Sequence, residues 1–225
     1  HMGKTAIFDL DGTLVDTAYD LVSAMNAIAD RFDLPQLDHT EARMVAGRGG
    51  RALMRHAASK VGRDFPDDQV LVAYPPFLDA YEACIDEQSQ YFPRVEETVD
   101  LLLSDGWKVG ICTNKPERLA HILMDRLGGK HRFTALLGAD SLPVRKPHPD
   151  HVWETISRVE GDRPQAVMIG DTNNDREAAA NAGVPCALYA HGFSVEPLES
   201  LKPEAIFDDY ADLPELLTKL IAKTA

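Results

Sequence analysis

The chain of 225 residues carries a formal net charge of −13, and 44% of its residues are hydrophobic. This length allows one large domain or two small ones, and the hydrophobic fraction is ordinary for a globular protein. The acidic balance argues against nucleic acid or an anionic membrane as the main partner. The sequence also contains no apolar run of membrane-spanning length and no visible signal peptide.

The cysteines bear on the cellular compartment. Cys84, Cys112 and Cys186 are odd in number and far apart, which fits neither a disulfide framework nor a zinc site. Cys112 and Cys186 lie in apolar runs, so we predict that both are small core residues. A reducing compartment, the cytoplasm, is therefore expected.

The first predicted element is a buried strand, the short apolar run Thr5–Phe8. Asp9 and Asp11 follow it, and Gly12 allows the chain to turn sharply. Two acids at the end of a buried strand are costly unless they are paired or bind a metal. The stretch therefore predicts a magnesium site with a carboxylate nucleophile; the alternative is a polar turn that one of the acids caps.

Residues 17 to about 92 form a block predicted to be almost entirely helical, with no convincing strand. Asp16 or Thr17 is expected to cap a first helix that reaches about Arg31, and Leu34-Pro35 is expected to end it. Further helical patterns follow at about 40–45, 50–61 and 67–87.

Beyond this block, predicted strands and helices alternate. Strands are expected at 108–113, 133–137, 166–169 and 186–189, with a short edge strand at 205–207; helices are expected at 95–103, 116–127, 150–159, 175–182 and 213–221. This alternation predicts an α/β fold with a doubly wound, Rossmann-like parallel sheet. The predicted domains are an α/β core, residues 1–16 and 93–225, and an inserted all-helical cap, residues 17–92.

Two more of the predicted strands end in polar residues. The second ends at Thr113, with Asn114 and Lys115 after it; Asp171 and Asp175 come after the fourth, and Lys146 lies between these two segments in the sequence. The carboxyl ends of parallel strands meet at one edge of a sheet. Carboxylates suit magnesium, and a hydroxyl, backbone N–H groups and a lysine can hold phosphoryl oxygens. The set therefore favours phosphoryl transfer to a carboxylate.

Each of these side chains also has a structural alternative. Thr113 is a candidate helix N-cap, Asn114 a turn residue, and Lys146 a surface lysine. Asp171 is a candidate cap, and Asp175 can serve a structural role. Lys115, beside the motif, is expected to be a solvated loop lysine.

The four segments resemble the four motifs of the haloacid-dehalogenase-like phosphatases in order, spacing and strand context. The resemblance implies that Asp9 is the nucleophile, which forms an aspartyl-phosphate, and that Asp11 is the general acid/base and binds the metal through its backbone carbonyl. It implies that Asp171 is a Mg²⁺ ligand and that Asp175 orients metal-bound water or Lys146. The residues that it implies for binding the phosphoryl group are Thr113, Asn114 and Lys146. The expected substrate is a small phosphorylated metabolite, and the expected assembly is a monomer or homodimer.

A looser resemblance, to bacterial phosphoglycolate phosphatases, spans most of the chain and rests on the runs 15–21 and 45–53, the stretch 91–116 and the tail from His191-Gly-Phe193. Arg48 stands where that family often has a small amide, and Arg94 stands where it often has glycine. In the glycine-rich loop, Arg48 or Arg51 is a candidate fork for a substrate carboxylate. The alternative is a flexible connection with solvated arginines.

Asp11 narrows the reaction class. By resemblance, dehalogenases of the superfamily lack this aspartate and phosphonate hydrolases carry a small residue there, so its presence implies cleavage of phosphate esters. A sugar-phosphate mutase would keep Asp11 and remains an alternative. A non-enzymatic protein that binds a phosphorylated ligand is a third.

Overall fold

The computed structural model describes residues 3–224 of the chain. The chain divides into two compact units: one runs to Val15 and resumes at Tyr91, and the other is Asp16–Gln90. The predicted core ranges, 1–16 and 93–225, begin and end outside the described residues. We call the first unit the core unit and the second the helical unit.

In chain order, the strands of residues 3–224 are β1 Thr5–Phe8, β2 Val15–Asp16, β3 Gln90–Tyr91, β4 Lys108–Cys112, β5 Ala135–Leu137, β6 Ala166–Gly170, β7 Cys186–Tyr189 and β8 Ala205–Phe207. The α-helices are α1 Ala18–Ile28, α2 Arg43–Ala46, α3 Gly50–Lys60, α4 Asp67–Cys84, α5 Val95–Ser104, α6 Glu117–Leu127, α7 Pro149–Arg158, α8 Asn173–Ala182 and α9 Leu213–Thr224. None of these helices is both long and apolar enough to cross a membrane.

The core unit is built on a parallel sheet. Within residues 3–224 its order is β5-β4-β1-β6-β7-β8. The inner strands read as continuous apolar runs because helices cover both faces of such sheets. The strand order reverses at β1: β4 and β5 lie on one side of β1, and β6, β7 and β8 lie on the other. Ligands bind at such switch points in doubly wound sheets. The predicted α/β fold with a doubly wound sheet and a helical insert is confirmed.

The pairing register determines which residues leave the sheet together. Phe8, the last residue of β1, lies opposite Ile111 of β4 and Ile169 of β6. Asp9 therefore leaves the sheet one position before Thr113 and Asp171. Beneath them, α7 and α8 pack on the sheet through a buried apolar cluster that includes Ile7, Cys112, Met168, Val152, Ile156 and Ala178. Cys112 and Cys186 are both fully buried, as predicted.

The start and end of the first helix differ from the prediction. Thr17 occupies the N-cap position of α1, but its side chain makes no capping hydrogen bond. The Asp16 carboxylate instead accepts two hydrogen bonds from Arg43, at 2.7 and 2.9 Å. At the other end, α1 passes into a 3₁₀ turn that ends at Phe32, and Asp33 stops it with a left-handed φ of 54°. The predicted end near Arg31 is close to this, but Asp33, and not Leu34-Pro35, ends the helical stretch.

Candidate active site

Lys146 occupies the centre of a group of buried acids at the carboxyl ends of β1 and β6. Its ammonium lies 2.7 Å from Asp175 Oδ1 and 3.3 Å from Asp9 Oδ1, and its side chain is 1% exposed. Carboxylate oxygens of Asp9, Asp171 and Asp175 all lie within 4.8 Å of one another. Because one ammonium accompanies three carboxylates, this group carries excess negative charge.

Asp171 is held by the two loops beside it. Its Oδ1 accepts a hydrogen bond from the Thr13 hydroxyl at 2.9 Å, and its Oδ2 accepts one from the Phe193 N–H at 2.8 Å. Gly12 has a φ of +81°, and a Cβ built there would lie 2.2 Å from Asp171 Oδ2. The turn after β1 thus needs glycine both for its left-handed backbone and for its close approach to Asp171.

Asp175 is a structural anchor as well as the partner of Lys146. It forms a capping box with Thr172 at the start of α8, and its Oδ2 accepts a hydrogen bond from the Asp171 N–H at 2.9 Å. Both Asp175 oxygens are therefore already engaged. Although Asp175 is close enough to ligate a metal, this arrangement suits a residue that positions Lys146 and the Asp171 backbone.

The electrostatics follow from this crowding. Burial, and then the Asp175 carboxylate, raises the pKa of Asp9 well above its ordinary value and the pKa of Asp171 to about 8. Burial lowers the pKa of Lys146, but the Asp175 and Asp9 carboxylates outweigh it and raise that pKa above its ordinary value. A bound cation would offset the excess charge and favour the ionised acids.

The donor set fits a hard divalent cation. The clustered ligand atoms are all carboxylate oxygens, which magnesium prefers over the softer sulfur and nitrogen ligands. Oδ1 of Asp171 accepts a hydrogen bond from Thr13 and Oδ2 accepts one from Phe193, and a carboxylate oxygen has two lone pairs, so Asp171 retains capacity to bind a cation. Asp9 and Asp171 are thus the side chains best suited as ligands.

The predicted phosphoryl-binding residues lie at neighbouring strand ends. Thr113 directly follows β4, is 1% exposed, and its hydroxyl accepts a hydrogen bond from the Lys115 N–H at 3.1 Å. Asn114 donates through Nδ2 to the Lys146 carbonyl at 2.8 Å. This contact ties the loop after β4 to the loop that carries Lys146.

His151 is a positioning residue that the sequence reasoning missed. It is fully buried on α7; its Nδ1 lies 3.1 Å from the Lys146 N–H, and its Nε2 lies 2.9 Å from the Gly138 carbonyl. Burial, followed by the charge of Lys146, lowers the pKa of His151 to about 4. A neutral imidazole with its proton on Nε2 therefore satisfies both neighbours. The one signal for His151 in the sequence is its position five residues after Lys146, just beyond the Pro-His-Pro segment 147–149.

Lys115 departs most clearly from the prediction. The sequence predicts a solvated loop lysine, but the Lys115 side chain is 5% exposed and its Nζ lies 2.8 Å from Asp11 Oδ1. The sequence misleads here because Lys115 follows two polar residues and precedes a proline, as loop lysines often do, whereas the fold brings the loops after β1 and β4 together. Asp11 therefore lies beside a buried ammonium, close to the Asp9 site.

Comparison with known proteins agrees with this geometry. The model of the haloacid dehalogenase-like hydrolase family matches residues 6–189. A phosphoglycolate phosphatase of Caulobacter vibrioides is 40% identical over 97% of this chain and 92% of that protein. One of Agrobacterium fabrum is 37% identical over 100% of this chain and 97% of that protein.

The chain belongs to the haloacid dehalogenase-like hydrolase family. The crystal structure of a predicted phosphoglycolate phosphatase from Haemophilus somnus 129PT has a TM-score of 0.86 to it, at 29% identity over 96% of this chain and 98% of that chain. The resemblance stated from the motifs is thereby confirmed, and so is the class of enzyme, a phosphoric monoester hydrolase. The identity of the substrate is a separate question.

The helical unit of this haloacid dehalogenase-like hydrolase contains the two arginines that the sequence suggested for specificity. Both are exposed. The Arg51 guanidinium lies 4.0 Å from the centre of the Tyr74 ring, a cation–π contact that gives it a packing role within the unit. Gly50 lets the start of α3 approach α4, because a Cβ there would lie 2.3 Å from the Phe77 ring. Of the two arginines, Arg48 is therefore the better candidate for binding a ligand.

Proposed function

We propose that the enzyme is a magnesium-dependent phosphatase of small phosphate monoesters, with phosphoglycolate as its substrate. The observation that carries the proposal is the buried group of Asp9, Asp171 and Asp175 around Lys146 at the switch point of the sheet. The names and coverage of the Caulobacter and Agrobacterium relatives support the choice of substrate.

In the proposed reaction, an Asp9 oxygen attacks phosphorus, and the bond from phosphorus to the ester oxygen breaks. Asp11 gives its proton to the departing alkoxide. Water then attacks the aspartyl-phosphate while Asp11 takes back a proton, which releases inorganic phosphate and restores the Asp9 carboxylate. This order of steps uses Asp9 as the nucleophile and Asp11 as both acid and base.

The remaining residues bind and orient. Lys146, the Thr113 hydroxyl and the Asn114 backbone are proposed to hold the phosphoryl oxygens. Asp9, the Asp11 carbonyl and Asp171 are proposed to hold Mg²⁺, which would offset charge on the phosphoryl group. Asp175 is proposed to keep Lys146 in place rather than to bind the ion.

The experiment that tests the function is a screen of phosphate release with purified enzyme and Mg²⁺. Phosphoglycolate, sugar phosphates, nucleotides and pyrophosphate would be compared by kcat/KM. We expect phosphoglycolate to give the highest value and free phosphate as a product. A clearly higher kcat/KM for another member of the set would overturn the proposed substrate.

Removal of the metal is expected to abolish turnover. Exhaustive chelation should reduce phosphate release to the background rate, because, without the cation, burial and the nearby acids favour the protonated form of Asp9, which is a poor nucleophile. Added Mg²⁺ should restore the activity, whereas Zn²⁺, which prefers nitrogen and sulfur ligands, should restore it poorly. Undiminished hydrolysis by the chelated enzyme would exclude the proposed metal site.

Arg48→Ala is expected to weaken activity on phosphoglycolate by about tenfold to a hundredfold, the effect of losing one charge-assisted hydrogen bond to a carboxylate. Activity on an aryl phosphate, which has no carboxylate, should change much less. Arg51→Ala is the matched control, since Arg51 stacks on Tyr74. Equal losses on both substrates would mean that Arg48 supports the fold. No loss on either substrate would mean that Arg48 is a solvated surface residue that does not bind the substrate.

A further inference from the structure

Lys115 is a second buried cation of the active site, and the reaction outlined above assigns it no role. Its ammonium lies 2.8 Å from Asp11 Oδ1, and 95% of its side-chain surface is removed from solvent. Burying a lysine is costly unless a carboxylate or another acceptor compensates for the lost water. Asp11 supplies that carboxylate, so the Lys115 ammonium is held beside the proposed general acid.

The loop that carries Lys115 is firmly held. The Lys115 N–H donates to the Thr113 hydroxyl at 3.1 Å, and the Lys115 carbonyl accepts from Ala139 N at 2.9 Å. A Cβ built on Gly138 would lie 2.7 Å from the Lys115 carbonyl oxygen, so the two segments are in close contact. The ammonium is thus presented from a fixed backbone, as a preorganised binding group requires.

The location of Lys115 next to Asp11 relates it to the leaving group. A general acid must lie within hydrogen-bond reach of the oxygen that it protonates. The ester oxygen of a bound substrate therefore lies beside the Asp11 carboxyl, and Lys115 is on the same side. In phosphoglycolate the carboxylate carbon is only two covalent bonds from that oxygen, within reach of a lysine that contacts Asp11.

A substrate carboxylate next to the ester oxygen calls for a cationic partner. Such a carboxylate would be buried beside the Asp11 carboxyl, away from bulk water. Burying a carboxylate is costly unless a cation or other donors compensate for the lost water. The Lys115 ammonium, which contacts Asp11, is placed to supply that cation.

We propose that Lys115 binds a carboxylate on the leaving group, so that the core unit itself selects monoesters with a second anionic group near the ester oxygen. In the free enzyme the Lys115 ammonium is paired with Asp11. In the complex the ammonium contacts the substrate carboxylate, either together with Asp11 or in its place. The Asp11 carboxyl then faces the ester oxygen. The proposal rests on phosphoglycolate as the substrate and adds a selecting residue that lies outside the helical unit.

The test uses two unreactive phosphonates as competitive inhibitors of aryl phosphate hydrolysis by the Mg²⁺-loaded enzyme. One is 3-phosphonopropionate, in which a methylene replaces the ester oxygen of phosphoglycolate. The other is 3-methylbutylphosphonate, in which two methyl groups replace the carboxylate oxygens. The measured quantity is the ratio of their inhibition constants, because general damage to the site changes both and leaves the ratio unchanged.

The wild-type enzyme should bind the carboxylate analogue at least about tenfold more tightly than the methyl analogue. Lys115→Met and Lys115→Gln should each lower this ratio by about tenfold to a hundredfold, and Lys115→Arg, which keeps a cation, should retain most of it. Lys130→Met, which removes a more exposed lysine paired with Asp125, is the matched control and should leave the ratio unchanged.

Each outcome has a distinct meaning. An unchanged ratio in Lys115→Met and Lys115→Gln would overturn the assignment while leaving phosphoglycolate as the substrate. If the ratio fell only in Arg48→Ala, the residue that selects the carboxylate would lie in the helical unit, and the assignment of Lys115 would again be overturned. A wild-type ratio near one would count against an anionic leaving group altogether, and would overturn both the assignment and the proposed substrate.

Discussion

Asp9→Asn is expected to lower kcat for phosphoglycolate by more than about a thousandfold, as loss of an enzyme nucleophile typically does. An amide is a far poorer nucleophile than a carboxylate and a weaker ligand for a hard cation. The free energy of unfolding should not fall, because burial and the nearby acids already make the charged form of Asp9 unfavourable. The measurement is steady-state phosphate release together with urea unfolding.

The control for this variant is Asp208→Asn, which removes an exposed aspartate from the same core unit. It should keep wild-type kcat and stability, since surface substitutions usually change stability by less than about 0.5 kcal/mol. If Asp9→Asn retained near-normal turnover in a folded protein, Asp9 would not be the nucleophile.

Lys146→Met is expected to impair both stability and activity. It leaves Asp9 and Asp175 without the ammonium between them, and breaking a buried ion pair by removing one partner typically costs about 3–5 kcal/mol. Loss of a donor to the phosphoryl oxygens should also lower kcat by about a hundredfold to a thousandfold. Urea unfolding measured with and without Mg²⁺ gives the first quantity, and phosphate release gives the second.

A double variant separates the two effects of Lys146. Lys146→Met combined with Asp175→Asn removes both partners of the closest pair, so part of the lost stability should return while the activity stays low. Lys219→Met, which breaks an exposed pair with Glu215, is the matched control and should cost about 1 kcal/mol or less. A single Lys146→Met variant as stable as this control would contradict the account of the buried group.

The parallel sheet could be predicted because its inner strands are apolar runs of strand length. β1 and β7 were predicted with the residue bounds that the structure gives, since each run stops at a polar residue or a turn. The two-residue strand β3 was missed because its pairing with β2 depends on residues more than 70 positions away in the sequence. Short strands carry too little periodicity to be recognised without their partner.

Part of the candidate site could likewise be predicted from the sequence, and part of it could not. Asp9, Asp11, Thr113 and Asp171 could be proposed because strand ends of a parallel sheet converge at one edge. The surroundings of Lys115 could not be anticipated, because its burial comes from the approach of Gly138 and Asp11 in the folded chain. The roles of Asp9, Asp11, Thr113 and Asp171 in catalysis and metal binding stay predictions.

The most direct test of the central claim is to trap the proposed covalent intermediate. The Mg²⁺-loaded enzyme would be mixed with phosphoglycolate, quenched in acid within one turnover, reduced with borohydride and digested for mass spectrometry. Borohydride reduces an acyl phosphate to an alcohol, so homoserine is expected at position 9 and no other aspartate should be converted. Homoserine at Asp11 or at any other aspartate, or an unmodified Asp9 during steady turnover, would contradict the proposed mechanism.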